Sequence, residues 1–500
     1  MNKKELLQSM SIAKTETIVP EKPSIKEVLK NRPFMLLFAA QFIENIGRAI
    51  SGLALEFLIY ELTRSPLMMG ILSIIWLLPF VVIAPFAGVY TDRFDQRKIM
   101  LWSNIVSFFA AIGFLIIYLL KDALTIITFI KIAPGHNLVT INYTHVIWPL
   151  FLLLFINSSS AAFFFPARNA YTRLIIKKKN LLVANSIGST VFQIATIVGY
   201  VLAGVLAEAS YLGSFITNAG TFLISGTLIT LLFHIGKKPP ERVKEKTRTL
   251  KAEMKKFYND IRIGYQAVKE KPKISYMLLI FSAITFTFGA VNVLFIVILQ
   301  GEMSLGATWY GIFQGLMGAS GIITAIVLMA IGKIKRKVMV LNIAFVFATI
   351  ALYFFAVIRN KWVMAAILFS FGIISVSINV PSSTLIQEKI AYEKQGRVFG
   401  AMQLAQGIAQ LLGMGIVSLI AEYVLPMYVL LASSTLCAII IFAGMIYSGI
   451  KGLMGNDYTE SEKSDNTELS SIKDEPLVFD EKERMIREEL ELDQTVPTIE

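Results

Sequence analysis

Glu44, Arg48 and Glu56 lie in one long apolar stretch and are the titratable side chains whose types and spacing could do chemistry. Glu44 and Arg48 are four residues apart, the helical spacing that lets a carboxylate and a guanidinium pair. Gln41, Asn45, Ser51 and Gly52 accompany them. Wound as a helix at about 100° per residue, the set from Gln41 to Glu56 falls within one arc of about 140°. A carboxyl isolated in apolar surroundings resists ionisation, whereas one beside a guanidinium is held ionised. Glu56 is therefore the better candidate for a group that gains and loses a proton near neutral pH. Glu44 is the better candidate for a standing partner of Arg48. The alternative for each is a contact that only fixes helix packing.

The elements that must hold this stripe follow from composition. The chain has 500 residues, 55% of them hydrophobic and 16% charged, against about 25% charged in soluble chains. Its mean hydropathy is +0.63. Twelve apolar runs can be drawn, at about 34–61, 66–90, 98–120, 146–172, 183–207, 211–235, 274–300, 308–331, 338–358, 362–387, 395–421 and 426–449. Most reach the roughly 20 residues that a membrane-spanning helix needs. Backbone groups in lipid must bond internally, so these runs are expected to be helices. A charge at mid-bilayer costs about 2.5–3.5 kcal/mol even on the lenient insertion scale. The stripe in the first span therefore faces the bundle interior or a water-filled cavity, not lipid.

Lysine and arginine set the orientation. With the N-terminus in the cytoplasm, 35 of the 47 basic residues fall in inner segments and 5 in outer loops. Both termini are thus expected in the cytoplasm of a multi-pass plasma-membrane protein, and the Lys, Ile and Asn usage points to a bacterial source. The formal charge of +12 needs no nucleic acid; it reflects orientation and attraction to anionic lipid headgroups. Cys437 is the single cysteine, and His136, His145 and His234 form no ligand cluster. No cofactor or metal is expected, nor an enzyme, nor a nucleotide-driven pump, since no phosphate-binding Gly-rich loop is present. The first 33 residues are mixed and polar, unlike a cleavable signal peptide.

Five segments result: a cytoplasmic segment 1–33, six spans in 34–235, a basic linker 236–273, six spans in 274–449, and a tail 450–500. In the linker, Leu250, Met254, Phe257, Ile261, Tyr265 and Val268 recur at helical spacing, as in an amphipathic helix on a membrane surface. Residues 451–500 hold 15 acidic and 6 basic side chains and read as a disordered tail. Residues 121–145 form a longer outer loop containing the apolar stretch Leu124–Ile130. Gly88-Val-Tyr-Thr-Asp-Arg-Phe-Asp-Gln-Arg-Lys98 is a charged hairpin between spans two and three, and Gly332-Lys-Ile-Lys-Arg-Lys337 is a worn copy between spans eight and nine. A 6+6 layout with a repeated loop suggests an internal parallel repeat. Other spans carry neutral polar groups, among them Asn157, Gln193, Asn218, Asn292, Gln314, Asn379 and Gln403, each first read as an interhelical hydrogen bond. Trp76 and the run Phe163–Phe165 could stack on an apolar compound.

Four features in this order resemble major facilitator superfamily exporters, in particular the macrolide-efflux branch that includes siderophore exporters. They are Arg64-Ser65-Pro66 entering span two, and the Gly88–Lys98 hairpin with Asp95 at a position usually glycine. The others are Phe165-Pro-Ala-Arg-Asn169 ending span four, and Gln387-Glu388-Lys389 followed by Gly396-Arg-Val-Phe399 entering span eleven. The resemblance covers about residues 32–450 and implies an all-α membrane protein. Its twelve helices would form two pseudo-symmetric six-helix domains rocking about a central site. It implies gating by Gly88, Asp92, Arg93, Arg97, Lys98 and Arg397, with Asp92 directed at the N-terminus of span eleven near Gly396–Gly400. Two positions depart from the pattern. Asn157 stands where many proton-coupled relatives have an arginine, so Arg48 is the candidate replacement cation. Gly199-Tyr200 stands where span five usually has Gly-Pro.

The expectation is a monomeric secondary exporter of a small apolar or amphipathic compound, working by proton antiport. Glu44, Arg48 and Glu56 would couple proton to cargo, and Gln41, Asn45, Asn157 and Phe164 would line the cavity. Its partners would be membrane lipids, a small molecule and protons. The alternatives are export or flipping of an anionic cargo, such as a siderophore or lysophospholipid, and a non-transporting membrane sensor or scaffold.

Overall fold

The computed structural model describes residues 24–450 except 125, 134, 135, 143, 238–249, 333 and 335. The acidic tail, the segment before residue 24 and linker residues 238–249 lie outside the described residues. Twelve segments account for the spans: α1 (Arg32–Thr63), α2 (Pro66–Val82), α3 (Gln96–Leu119), α4 (Thr144–Ile175), α5 (Leu181–Ala209), α6 (Tyr211–Ile235), α7 (Pro272–Ile296), α8 (Ala307–Ile331), α9 (Lys337–Val357), α10 (Lys361–Lys389), α11 (Tyr392–Ala421) and α12 (Pro426–Ile450). Ten of them are long and apolar enough to cross a membrane. α1 carries the charged stripe, and α2 is the short one.

The run at 66–90 is two helices rather than one. α2 stops at Val82, and a second segment, Ala84–Arg93, begins with Pro85 in its first turn. Proline has no amide to donate, so the ladder ends at the residue before it. The unplaced outer stretch is an antiparallel hairpin, Ile126–Ala133 paired with His136–Asn142. Its Ile, Thr and Val content suits strands better than helix.

Packing follows an exact sixfold shift in helix number. Within the first set α1 packs on α5 and α6, α3 on α4 and α6, and α2 on α4. Within the second, α7 packs on α11 and α12, α9 on α10 and α12, and α8 on α10. The main contacts between sets are α2 with α11 and α5 with α8, which exchange under the same shift.

These cross-set contacts lie at one end of the bundle, opposite the end bearing the Arg93–Lys98 and Arg168–Lys179 clusters, which we call the basic end. At the far end, glycines let backbones meet. A Cβ on Gly311 of α8 would stand 2.6 Å from the Tyr200 carbonyl of α5, and one on Gly204 would stand 2.7 Å from the Ala307 carbonyl. Two carboxylates close the same end. Glu208 of α5 accepts the Thr308 amide of α8 at 2.8 Å. Glu422 after α11 accepts the Ser65 hydroxyl and Leu67 amide at the start of α2, at 2.7 and 3.0 Å. Each carboxylate satisfies a helix N-terminus of the opposite set, where free amides and the helix dipole favour an anion. At the basic end, a Cβ on Gly88, Gly396 or Gly400 would meet nothing within 4 Å.

A short N-terminal helix, Ile25–Leu29, is pinned to the α4–α5 turn. Ser24 donates its amide to Asn180, whose side-chain amide donates to Glu27. Lys177 and Lys179 reach Glu27 at 2.7 and 3.2 Å. The linker helix, Leu250–Lys269, lies on α11 through Gly264, and Asp260 pairs with Arg397 at 2.8 Å.

Two outcomes follow. Gly311→Ala forces backbone apart by overpacking that costs about 1–3 kcal/mol. Distances between spin labels on the α1–α2 and α7–α8 turns should lengthen, and unchanged distances would reject the tight contact. Hydrogen bonds from Lys177, Asn180 and Lys179 lower the Glu27 carboxyl to about 2. The stabilisation from this pin is therefore full above the ordinary carboxylate value of 4.5 and lost as pH falls from there toward 2. Amide exchange at residues 25–29 should stay pH-independent, after correction for intrinsic rates, from pH 8 to 5.

Candidate functional site

The charged stripe of α1 is resolved into two separate places. Glu44 and Arg48 sit inside the first helix set. Arg48 donates Nε and Nη2 to Glu44 Oε1 at 3.0 and 2.8 Å. Its Nη1 donates to Asn157 Oδ1 of α4 at 2.7 Å, and Nη2 lies 3.4 Å from the Ser107 hydroxyl of α3. The guanidinium stacks 5.0 Å over the Phe222 ring of α6. Asn157 of α4 thus holds the Arg48 cation of α1.

Hydroxyls extend the network. Ser225 of α6 lies 3.4 Å from Glu44 Oε2 and accepts from Asn104 at 3.2 Å. Ser107 donates to Ser160, and Ser103 and Ser160 each donate to the other's carbonyl. Four helices of one set are stitched together at bilayer depth, where charge-assisted bonds are strong because water is absent. Around them several amides are buried without partners: both polar atoms of Gln41 and Asn218, and Nδ2 of Asn45.

The four side chains expected to line a cargo cavity are therefore interior to the first set. Gln41 and Phe164 are 1% exposed, and Asn45 and Asn157 are 8% exposed. Phe164 packs in a core with Phe34, Phe38 and Tyr171.

Glu56 stands apart, two turns along α1 toward the far end. It makes no hydrogen bond or ion pair among the described residues. It lies within electrostatic reach of two tyrosines, Tyr200 of α5 and Tyr310 of α8. Their rings are 6.0 Å apart, and Tyr310 meets the Phe57 ring edge-on at 6.1 Å. Gln314 donates to the Tyr310 hydroxyl at 3.0 Å. Tyr200 and Tyr310 belong to opposite sets, so their rings meet where the sets join. Sequence reasoning missed both tyrosines, because each is a lone aromatic in its span and only the fold juxtaposes them. Polar side chains exposed in mid-span, Gln193, Asn292, Asn379 and Gln403, continue toward the basic end. Polar groups in mid-bilayer face a water-filled space rather than lipid.

The hairpin residues are placed as follows. Arg97 is buried, pairs with Asp95 at 2.8 Å and lies 4.8 Å over Phe233 of α6. Burial opposes ionisation of Asp95, but bonds from the Arg97 side chain and amide outweigh it and hold the carboxyl below its usual range. Arg93 and Lys98 are exposed. The side chain of Asp92 is outside the described residues, as are Lys333 and Lys335 of the second hairpin. In that second hairpin Lys337 is buried and pairs with Glu388 at the end of α10 at 2.8 Å. Among the described residues no group of three metal-ligating side chains occurs.

The family model of the Major Facilitator Superfamily matches residues 37–414. The chain is 26% identical over 454 residues to the MFS-type transporter YfiS of Bacillus subtilis, covering 89% of this chain and 97% of that one. It is 22% identical over 408 residues to macrolide efflux protein A of Streptococcus pyogenes, covering 81% and 93%. In fold it is similar to a bacterial homologue of the iron transporter ferroportin solved in an inward-facing state. That likeness has a TM-score of 0.61 at 15% identity over 83% of this chain and 98% of the other.

A double-mutant cycle tests the buried pair. Removing one partner leaves an unpaired buried charge and costs about 3–5 kcal/mol. Arg48→Met alone should lower the unfolding temperature in detergent more than Arg48→Met with Glu44→Leu. Additive losses would mean that the two side chains do not act as a pair.

Proposed function

The chain belongs to the Major Facilitator Superfamily and is a membrane transporter, and from this we propose that it exports a small amphipathic compound by proton antiport. The observation that carries the reading is Glu56, a carboxyl without a bonding partner among the described residues, within electrostatic reach of Tyr200 and Tyr310, whose rings meet at the junction of the two helix sets. A group so placed can exchange a proton as the sets part and close, while Glu44 stays committed to Arg48. With the basic end in the cytoplasm, the far-end closure corresponds to a carrier open to the cytoplasm, the side from which an exporter loads. Alternation between two such closures is the expected cycle for an internally repeated transporter.

The cargo class follows from the lining. Gln193, Asn292, Asn379 and Gln403 are neutral and exposed in mid-span. This suits a small, neutral amphipathic compound, and similarity to a macrolide efflux protein supports the same class. An anionic cargo is less well served, because the Arg48 guanidinium is already engaged by Glu44 and Asn157.

Flux into proteoliposomes with an acidic lumen tests the proposal, using neutral macrolides, lipophilic cations and siderophores. Glu56→Gln should reduce gradient-driven uptake at least tenfold while leaving cargo-for-cargo exchange, which moves no net proton. Undiminished gradient-driven uptake would remove Glu56 from the coupling.

A further inference from the structure

The fold divides the aromatic run of α4 among three surroundings. Phe164 is buried in the core of the first set. Phe163 turns to Tyr90 of the segment Ala84–Arg93, edge-on at 5.8 Å. Phe165 lies 6.0 Å from Phe80 of α2 and 6.5 Å from Phe192 of α5, and Phe80 continues to Trp76 at 5.8 Å. Four rings from three helices thus form one chain. Beside it, Val81 of α2 stands 3.1 Å from where a Cβ on Gly407 of α11 would be, and Ile197 of α5 packs on Gly318 of α8. The chain therefore lies between the two lines along which the helix sets touch. α3 covers the back of α4, so a ring that links α2 to α5 crosses the front of the first set and faces the cleft between the sets.

We propose that this chain of rings binds the planar aromatic part of a compound that carries no positive charge. The inference rests on the exporter reading above and names the chemistry of its cargo. Trp76 and Phe192, at the two ends of the chain, are 53% and 39% exposed. Apolar surface turned to a water-filled cleft gains by being covered. Successive rings are tilted by 48°, 51° and 73°, so none lies flat on its neighbour and ring faces stay open to a guest. A guest ring can pair edge-to-face or offset with them, which adds to the gain from buried area, and an aliphatic guest of equal size forgoes that addition. Arg168 decides the charge. Its guanidinium stands 5.4 Å over Phe165 and donates Nε and Nη2 to Asn169 Oδ1 at 3.1 and 2.6 Å. It makes no ion pair among the described residues. A cation brought to the same rings would meet this charge at short range, whereas an uncharged ring would not.

Equilibrium dialysis of the full chain in lipid nanodiscs near neutral pH tests this, with binding to empty nanodiscs subtracted. 2-Naphthol, planar and uncharged, should bind wild type about tenfold more tightly than its saturated analogue decahydro-2-naphthol. Phe165→Leu and Trp76→Leu keep an apolar side chain but remove a ring, and each should bring the two affinities close together. Phe163→Leu removes a ring that faces Tyr90 instead and should leave the preference in place. Quinoline should bind about tenfold more tightly than N-methylquinolinium, its permanently charged counterpart, and Arg168→Gln should narrow that gap. Equal affinity of wild type for the two naphthols would overturn the proposal. So would a preference that survives in both Phe165→Leu and Trp76→Leu, or one lost equally in Phe163→Leu. Equal affinity for quinoline and N-methylquinolinium would overturn the charge requirement. Binding here needs no gradient. An aromatic preference without gradient-driven flux would remove the antiport reading and leave the site; gradient-driven flux without the preference would do the reverse.

Discussion

A guanidinium in the middle of a membrane helix must be neutralised where it stands, and the first half of this protein is organised around that requirement. Arg48 meets Glu44 on its own helix, Asn157 on α4 and the Phe222 face on α6. Ser107 adds α3 to the set. Each contact fixes one helix against α1, so the electrostatic cost of a buried charge becomes positional information for four helices. Hydrophobic packing could not supply it, because in lipid apolar side chains gain little by choosing one another over acyl chains. The second half has no counterpart among the described residues: its helices meet through glycines such as Gly289 against Gln410 and Gly372 against Met317. One half is held by a network and the other by close backbone approach.

The difference bears on what each half can do. The Glu44–Arg48 network joins four helices of one set and is suited to staying whole while the halves move. Glu56 lies outside it and has tyrosines, not cations, as neighbours. Two carboxylates a few turns apart on one helix thus divide into one held in an ion pair and one without a bonding partner among the described residues.

Much of this was legible in the sequence, and the limits have physical causes. Span number, the break between halves and the stripe on α1 follow from length, charge placement and helical period. The Glu44–Arg48 pairing follows from a four-residue spacing. What the sequence could not supply is which neutral residue meets which. Asn157 reads as one more polar group in a span until the fold puts its oxygen against Arg48. Gln41 and Asn45 share the stripe with Arg48, yet both are buried inside the first helix set, as is Phe164 of α4. Tyr200 and Tyr310 are 110 positions apart in the sequence, and no periodicity joins them. The helix break at Ile83 was signalled by Pro85, but hydropathy runs straight through it.

The far-end closure shows why a repeated chain can alternate. Glu208 caps α8 and Glu422 caps α2, and a shift of six helices turns one contact into the other. Each set therefore both gives and receives one carboxylate, so neither can leave without breaking both bonds. Such bonds are short and exposed, worth little singly, and they release without a large barrier. The glycine contacts beside them supply the shape that makes the closed state specific, and the carboxylates only bias it. At the basic end the hairpin glycine Gly88 and the α11 glycines Gly396 and Gly400 stand in open space. Among the described residues no side chain caps the α11 N-terminus there, whereas carboxylates cap α2 and α8 at the far end. A bundle whose two ends carry equivalent helix N-termini, of which one end is satisfied at a time, has two closures of similar energy.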